Sequence, residues 1–406
     1  MTTSEIDRRV AIDPAQLLAE ARELLPDAVE LRRRIHTEPE LGLQLPLTQA
    51  KVIDALSDLD LEIKTGIAVS SVVATLTGDG PGPTIVLRGD MDALPMPEDS
   101  GEPFASEHPG VMHACGHDSH VAMLAGAARL LHSRRADLRG SVKFLFQPGE
   151  EGHHGARYCI EEGLLADPEV DAAFALHILP NRPSGTFATR PGPIMAAADV
   201  VKITVTGQGG HASMPHGATD PVPVACEIVT ALQTMITRTV DAFKPAVLTV
   251  AKISAGTTNN VIPEEAELVG TLRTVDERTR EEVHESIERL ATGIAGAHGC
   301  GAVLEIDRGY PVTVNDPDFA AFATRVLGDL VGPANVKTMA APIMGAEDWS
   351  YVLQEVPGAM VFLGACPDGQ EPKTAHACHS NRMRLDEEAM AVGIAAHAAI
   401  ALSYLG

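Results

Sequence analysis

The stretch Met112 to His120 reads M-H-A-C-G-H-D-S-H and stands directly before an apolar, alanine-rich run, Val121 to Leu131. Three histidines, a cysteine and an aspartate fall within nine residues, and the run that follows predicts a buried helix. Buried imidazole, thiolate and carboxylate groups lose hydration that a protein interior does not return, unless they pair or bind a metal. The stretch therefore predicts a metal site or, alternatively, a polar turn with one buried free cysteine.

The composition is that of a large globular protein. Its 406 residues exceed a single comfortable core, so two domains are expected. The formal charge of -24 argues against nucleic acid or anionic membrane as a partner, because both require clustered lysine and arginine. The first residues, M-T-T-S-E-I-D-R-R-V, lack the apolar core of a signal peptide, and no later run is long enough to span a bilayer. Six cysteines without regular spacing indicate a reducing compartment, so we expect a soluble cytoplasmic protein.

The first half of the chain alternates predicted strands and helices. Strands are expected at residues 71–77, 84–88, 141–147 and 170–178. Such alternation is typical of a largely parallel sheet, in which functional groups collect outside the carboxyl ends of the strands. Five acidic or imidazole side chains stand at or just beyond three of these strand ends: Asp90, Asp92, Glu150, Glu151 and His177. The sequence therefore predicts one functional edge of the sheet.

The pattern changes from about residue 196. The next elements read strand, helix, strand, strand, helix, strand, at 199–206, 220–239, 246–255, 265–273, 277–298 and 302–307. This order is the ferredoxin-like unit, a self-sufficient two-layer domain. We therefore predict an α/β protein in which residues 1–195 and 310–406 form a catalytic domain, with a largely parallel sheet flanked by helices. An α+β domain of ferredoxin-like order is inserted at 196–309.

Five side chains offer ligands for one or two transition metals: Cys115, His117, Glu151, His177 and His379. Thiolate and imidazole ligands exclude a dedicated calcium or magnesium site and favour zinc, cobalt, nickel or manganese. A lone histidine at a strand end is more often structural, so His177 and His379 gain weight only from the shared edge.

The adjacent carboxylates Glu150 and Glu151 can divide two tasks, because neighbouring side chains on an extended backbone diverge. One can bind metal while the other, Glu150, takes a proton from water and delivers it to a leaving nitrogen. The alternative is a pair of solvated loop residues. Asp90 and Asp92 could orient a ligand imidazole, and Asp118 is expected to be a local turn or cap residue.

Seven motifs carry a specific resemblance. They are R-G-D-M-D-A-L-P, M-H-A-C-G-H-D-S-H, F-Q-P-G-E-E-G, G-G-H-A-S-M-P-H, N-N-V-I-P-E-E-A, G-T-L-R-T and G-A-E-D-W-S. In this order and over nearly the whole chain, they resemble the metal-dependent aminoacylase and carboxypeptidase family. The amidohydrolase branch is the most similar, with hippurate hydrolases, N-acyl-amino-acid deacylases and plant auxin-conjugate hydrolases.

The resemblance implies roles for particular residues. It implies a dinuclear site of two divalent transition-metal ions, zinc or manganese before cobalt or nickel, held by the five ligands above. Glu150 is then the general base and acid, and Asp92 is the orienting aspartate. The inserted domain is a lid and a dimer interface, in a homodimer or a homotetramer. His211 stabilises the oxyanion in a neighbouring active site, while Asn260 and Arg273 contact the carboxylate of a small N-acyl amino acid.

Two segments depart from the family pattern. His153 and His154 follow the glutamate pair where relatives have small residues, and S-N-R-M-R-L follows His379. Three rival functions also remain: a metallo-exopeptidase acting on dipeptides, a cysteine hydrolase with Cys115 as nucleophile, and a non-catalytic metal-binding or sensing protein. The preferred prediction is a metal-dependent amidohydrolase that cleaves N-acyl amino acids.

Overall fold

The computed structural model describes residues 13–406, and the predicted absence of a signal core falls on residues that lie outside this range. The chain divides into two compact units. Unit 1 comprises the residues up to Gly192, Val314–Ala340 and Tyr351–Gly406. Unit 2 comprises Pro193–Thr313 and Ala341–Ser350. The predicted insertion spans 196–309, and the sequence did not predict that residues 341–350 belong with it.

Helices and strands alternate through most of the chain. The helices are α1 Pro14–Glu23, α2 Leu25–Thr37, α3 Pro46–Leu56, α4 His117–Ser133, α5 Gly155–Glu161, α6 Pro221–Thr239, α7 Glu277–Ala297, α8 Pro317–Val331, α9 Ser350–Glu355 and α10 Ala389–Leu405. The strands are β1 Glu62–Thr65, β2 Val72–Thr77, β3 Thr84–Asp90, β4 Ser141–Gln147, β5 Ala172–Leu179, β6 Phe187–Thr189, β7 Gly192–Met195, β8 Ala197–Thr206, β9 Gly210–His211, β10 Ala246–Ala255, β11 Val261–Ile262, β12 Glu265–Thr274, β13 Gly301–Arg308, β14 Thr313–Asn315, β15 Val336–Thr338 and β16 Gly358–Gly364. None of the helices within residues 13–406 has the length and hydrophobicity that a bilayer span requires.

Unit 1 is built on an eight-stranded sheet in the order β1-β2-β4-β3-β5-β16-β6-β15. Its central pairs, β4 with β3, β3 with β5 and β5 with β16, are parallel. The antiparallel pairs lie towards the two sides of the sheet. The predicted fold class, a largely parallel sheet flanked by helices, is confirmed. Strands β3, β4 and β16 are buried along their whole length, as expected when helices cover both faces.

Helix α4 packs against both β3 and α10 in unit 1. It begins directly after Gly116, whose left-handed φ of 84° makes a sharp entry into the helix. A side chain at this position would also meet Ile178 at 2.7 Å. The sequence placed this helix at 121–131, but it starts four residues earlier, because the polar residues from His117 to His120 are buried within its first turn.

Small residues bring α4 close to its neighbours. A Cβ atom at Gly89 in β3 would lie 2.8 Å from the backbone oxygen of His120. Helix α10, A-M-A-V-G-I-A-A-H-A-A-I-A-L-S-Y-L, is buried on nearly every side and packs against α4. Its alanines allow helix axes to approach, while each fully buried leucine or isoleucine stabilises the fold by about 1.5–3 kcal/mol. With few aromatic residues, this core depends on close approach of small side chains.

Unit 2 contains the ferredoxin-like order predicted from the sequence. Four antiparallel strands run in the order β10-β12-β8-β13, and α6 and α7 connect them along the chain. The buried carboxylate of Asp199 in β8 accepts a hydrogen bond from Arg280 Nε at 2.9 Å and lies 2.7 Å from His284 Nε2. Because a buried charge is costly unless it is paired, this cluster specifies where α7 attaches to the sheet.

We predict that Gly89→Ala destabilises the protein by about 1–3 kcal/mol, because the added methyl group would overlap backbone atoms of α4 that cannot rotate away. The matched control is Gly293→Ala, at an exposed helical position where nothing lies within 4 Å of the added methyl. This control should stabilise by about 0.5–1 kcal/mol. Urea denaturation measures both variants, and equal midpoints for Gly89→Ala and the wild type would contradict the prediction.

Candidate metal centre

The predicted functional edge lies where β3, β4 and β5 end. Asp90 is the last residue of β3 and pairs in register with Gln147, the last residue of β4. It therefore lies within the strand, and only Asp92 lies beyond it. His177 is in β5, the strand on the other side of β3. Parallel strands bring their carboxyl ends to the same edge, so residues far apart in sequence meet there.

The structure brings the five predicted ligand side chains together in unit 1. One group contains Cys115, His117 and His177, and another contains Cys115, Glu151 and His379. Within each group the ligand atoms lie within 4.8 Å of one another. Cys115 Sγ lies 3.3 Å from His177 Nε2, and His379 Nε2 lies 3.2 Å from Glu151 Oε1. Cys115 belongs to both groups, so its sulfur is a potential ligand that the two groups share.

Hydrogen bonds set the ring orientation of the two buried histidines. His177 Nδ1 donates to the carbonyl oxygen of Ile178 at 2.7 Å, and His117 Nδ1 donates to the carbonyl oxygen of Asp92 at 2.8 Å. In each neutral ring the lone pair therefore lies on Nε2, which faces the cluster. The buried Nε2 atom of His117 makes no hydrogen bond within the described residues. This is the arrangement that metal-binding imidazoles adopt.

Asp92 holds the glutamate pair. Its two carboxylate oxygens accept the backbone N–H groups of Glu150 and Glu151, each at 2.9 Å. Its backbone carbonyl, rather than its carboxylate, accepts the hydrogen bond from His117, although Oδ1 lies 3.5 Å from the same ring nitrogen. Asp92 therefore orients one imidazole as expected, and it also fixes the start of the E-E-G-H-H-G loop, which the sequence did not indicate.

Asp90 and His120 form a supporting layer. The carboxylate of Asp90 pairs with Arg88 at 2.8 Å and accepts from His120 Nδ1 at 2.5 Å. His120 Nε2 accepts the backbone N–H of Ile178 at 2.9 Å, so both of its nitrogens are engaged. Although burial raises the pKa of Asp90, the Arg88 guanidinium and the neighbouring histidines hold it well below its usual range. Arg88, a buried residue of β3, also belongs to this layer, and the sequence did not indicate its role.

The electrostatics of the cluster suit a bound cation. Burial lowers the pKa of His117, but the Asp90 carboxylate and the contacts with Asp92 raise it to about 10. The neighbouring Cys378 thiol favours the protonated form of Cys115 and, together with burial, holds the pKa of Cys115 well above its usual range. Both shifts favour the protonated forms of His117 and Cys115, and a divalent metal would replace those protons on binding. The thiolate, imidazole and carboxylate set fits zinc, manganese, cobalt or nickel.

Asp118 has a different role from the one expected. It makes no cap hydrogen bond at the start of α4. Its buried carboxylate instead accepts from Arg32 Nε at 3.0 Å and lies 2.8 Å from His36 Nδ1. The prediction of a local turn or cap residue is therefore wrong, because α2 supplies two basic side chains that the local sequence does not indicate.

The three other predicted site residues belong to unit 2. His211 is exposed in β9, and its Nδ1 accepts the backbone N–H of Ser213 at 3.1 Å. Asn260 is exposed, and its backbone carbonyl oxygen accepts a hydrogen bond from the backbone N–H of Ala212. Arg273 in β12 is partly buried, and burial lowers its pKa. Their roles toward a substrate stay predictions.

The two extra histidines make separate contacts. The ring of His153 lies against Gly42, close enough that a Cβ there would meet it at 3.4 Å. His154 Nδ1 lies 2.8 Å from the hydroxyl of Tyr351 in α9. His153 therefore contacts a loop and His154 contacts helix α9, and neither histidine belongs to the ligand groups around Cys115.

Comparisons with known proteins identify the family of this chain. A model of the family described as peptidase family M20/M25/M40 matches residues 86–403. Thermostable carboxypeptidase 2 of Saccharolobus solfataricus is 37% identical over 393 residues, which cover 96% of this chain and 98% of that protein. N-acetylcysteine deacetylase of Bacillus subtilis is 38% identical over 370 residues, 90% of this chain and 93% of that protein.

A solved structure is similar over nearly the full length. The crystal structure of a dinuclear metal-binding peptidase of the M20 family from Bacillus subtilis aligns with a TM-score of 0.82 at 34% identity. The alignment covers 95% of this chain and 99% of the other.

We predict that Asp92→Asn loosens the glutamate loop. The amide keeps the size of the carboxylate but turns an NH₂ group towards one of the two backbone donors, which costs about 1–3 kcal/mol. Amide hydrogen exchange at Glu150 and Glu151 should accelerate roughly 5- to 150-fold if it follows local opening. Exposed Asp79→Asn is the control and should leave this exchange unchanged. Equal exchange in wild type and Asp92→Asn would show that the carboxylate does not hold the loop.

Proposed function

Because this chain belongs to peptidase family M20/M25/M40, we propose that it hydrolyses the amide bond of N-acyl amino acids, giving a carboxylate and a free amino acid. The observation that carries the proposal is the cluster in which Cys115 joins two ligand groups while Glu150 lies beside His117 and Glu151. The similarity to N-acetylcysteine deacetylase supports an N-acyl amino acid as substrate.

We assign Cys115, His117, Glu151, His177 and His379 as the ligands of two divalent transition-metal ions. Zinc and manganese suit this set, and cobalt and nickel are alternatives. Such ions act as Lewis acids towards a carbonyl oxygen and lower the pKa of water. The name of the Bacillus subtilis structure, a dinuclear metal-binding peptidase, supports two ions rather than one.

Glu150 is the proposed proton shuttle. It is 7% exposed, and the hydrogen bond from its backbone to Asp92 fixes where its side chain begins. Its ligand atom lies within 4.8 Å of those of His117 and Glu151, so it is next to the metal groups and has a separate task from Glu151. A carboxylate in this position takes a proton from attacking water and returns it to the leaving nitrogen, so that a neutral amine departs.

Unit 2 is proposed to complete substrate recognition. Arg273 and Asn260 would bind the carboxylate of the amino acid, where a guanidinium can form two parallel hydrogen bonds. His211 would donate a hydrogen bond to the oxyanion of the tetrahedral intermediate. These three assignments rest on the family resemblance of the motifs that contain them.

We further propose that the protein assembles as a homodimer, with a homotetramer as the alternative. Large apolar side chains are exposed on the strands of unit 2, including Val247 at 44%, Ile253 at 52% and Val303 at 58%. Strands β10 and β13 form the two edges of that sheet. An exposed apolar edge strand favours association with a second chain.

A metallo-exopeptidase acting on dipeptides is the second candidate. The 37% identity to a carboxypeptidase favours it, and the two functions would differ in the acyl side of the pocket. A cysteine hydrolase is disfavoured, because Cys115 is only 7% exposed and its sulfur belongs to both potential metal-ligand groups.

We predict that Glu150→Gln lowers kcat by about 10²- to 10⁴-fold, because the amide cannot accept a proton. Bound metal and KM should change little, since the glutamine keeps the shape of the side chain. Steady-state kinetics and metal analysis on the same sample measure this. Exposed Glu169→Gln is the matched control and should behave as the wild type. Unchanged turnover in Glu150→Gln would rule out Glu150 as the proton shuttle.

A panel of N-acetyl amino acids, N-benzoyl amino acids and dipeptides tests the substrate class. We expect the N-acyl amino acids to be hydrolysed with the higher kcat/KM, and a chelator to abolish the activity until metal is restored. Preference for dipeptides would favour the exopeptidase instead. Activity that survives complete metal removal would contradict both metal-dependent candidates.

A further inference from the structure

Cys378 lies directly beside the candidate metal centre and has no role in the proposed mechanism. Its thiol is half-buried, and its Sγ atom lies 3.8 Å from the carbonyl oxygens of both Cys115 and Ile178. These two carbonyls belong to the loop before α4 and to β5, the same elements that carry Cys115 and His177. Cys378 is therefore inserted between two of the elements that hold the cluster.

The backbone keeps the two cysteines next to each other. The N–H of His379 donates to the carbonyl oxygen of Ala114 at 2.7 Å, which ties the two short segments together at positions adjacent to the cysteines. The Sγ atom of Cys378 also lies 3.8 Å from the carbonyl oxygen of Cys115, so its sulfur reaches the backbone of the residue that carries the second thiol. These contacts hold Cys115 and Cys378 side by side, and a bridge between them requires that the two side chains turn towards each other.

The two cysteines differ in access and in chemical role. Cys115 is buried and its sulfur lies 3.3 Å from His177 Nε2, whereas Cys378 is partly exposed and belongs to neither ligand group around Cys115. An accessible thiol next to a second thiol is the arrangement in which a first oxidation is resolved by disulfide formation. All six cysteines are free thiols in this structure, so the pair is available for such a reaction.

We propose that Cys115 and Cys378 form a reversible disulfide that switches the metal centre off under oxidising conditions. The inference rests on the proposed assignment of Cys115 as a metal ligand, and it extends that function by adding its regulation. The oxidant is a peroxide, and the reductant that restores the site is a dithiol.

The reaction has two balanced steps. Hydrogen peroxide transfers one oxygen to the sulfur of Cys378, giving a sulfenic acid and one water molecule. The sulfur of Cys115 then attacks the Cys378 sulfur, the S–S bond forms as the S–O bond breaks, and the departing hydroxide takes a proton to become a second water. The two thiols lose two electrons in all, and the peroxide gains them.

The disulfide would remove a ligand from both groups at once. Metal ions bind the thiolate rather than a disulfide sulfur, and Cys115 is the one residue shared between the group with His177 and the group with His379. Loss of this sulfur therefore weakens both halves of the site together. Reduction by a dithiol restores two thiols and, once metal is supplied, the original ligand set.

The test uses the metal-loaded, full-length protein treated with increasing hydrogen peroxide. We expect a peptide map without reduction to contain a cross-link between the peptides of Cys115 and Cys378. Metal release, followed with a colorimetric chelator, should rise in step with the cross-link. Activity should fall in the same proportion and return after dithiothreitol and metal are added.

Two variants separate the proposed pair from general oxidation. Cys378→Ser should keep metal and basal activity, but form no cross-link to Cys115 and recover no activity with dithiothreitol after peroxide. Cys378→Ala repeats the test if the serine variant is unstable. Cys226→Ser removes an exposed cysteine on α6 and should respond as the wild type.

Reversible inactivation that is the same in Cys378→Ser and wild type would overturn the proposal, as would a map in which Cys115 pairs with no cysteine. The proposed function fails separately, if the untreated protein binds no metal and hydrolyses no N-acyl amino acid. The cross-link in the peptide map remains readable in that case, because it depends on the two thiols alone.

Discussion

The three hydrogen bonds accepted by Asp92 are the interaction on which the centre depends. Its two carboxylate oxygens take the backbone N–H groups of Glu150 and Glu151, and its carbonyl takes the proton of His117 Nδ1. One residue thereby joins the end of β3 to the loop after β4 and to the first turn of α4. Because these contacts are buried, water cannot replace them, and the loss of any one leaves an unsatisfied polar group.

The alanine-rich helices α4 and α10 pack closely, and this packing holds the polar first turn of α4 in place. Polar residues from His117 to His120 occupy the start of α4, so the helix is held in place by the rest of its length. Gly89 lets the backbone of α4 approach β3, and the alanines of α10 cover its other side. Small side chains fix the position of a helix closely, because little can be rearranged when two backbones are in near contact. The close packing of small side chains around α4 therefore fixes the positions of the ligand atoms at its start.

Two buried charge clusters serve different elements of the chain. In unit 1, Asp118 in α4 pairs with Arg32 and His36 in α2. In unit 2, Asp199 in β8 pairs with Arg280 and His284 in α7. Such clusters are costly to bury and strongly destabilising when broken, so they specify which helix packs where rather than adding much net stability. In the first unit this anchors α4 to α2 through the same helical turn that carries His117.

The sequence by itself determined the longer strands and helices, the two-part order of the chain, the functional edge and the five potential ligands. Alternation of apolar residues, turn residues and strand-end carboxylates carries that information locally, and the family resemblance of the seven motifs is confirmed by a family match over 86–403. Only the tertiary structure decided that Asp92 binds the amides of the glutamate pair, that Asp118 pairs with α2 and that Arg88 supports Asp90. It also decided that Cys378 lies against Cys115, 263 residues away along the chain. Contacts of this kind depend on how separate elements pack, and no periodicity or spacing in the sequence records the distance between two side chains that meet only after folding.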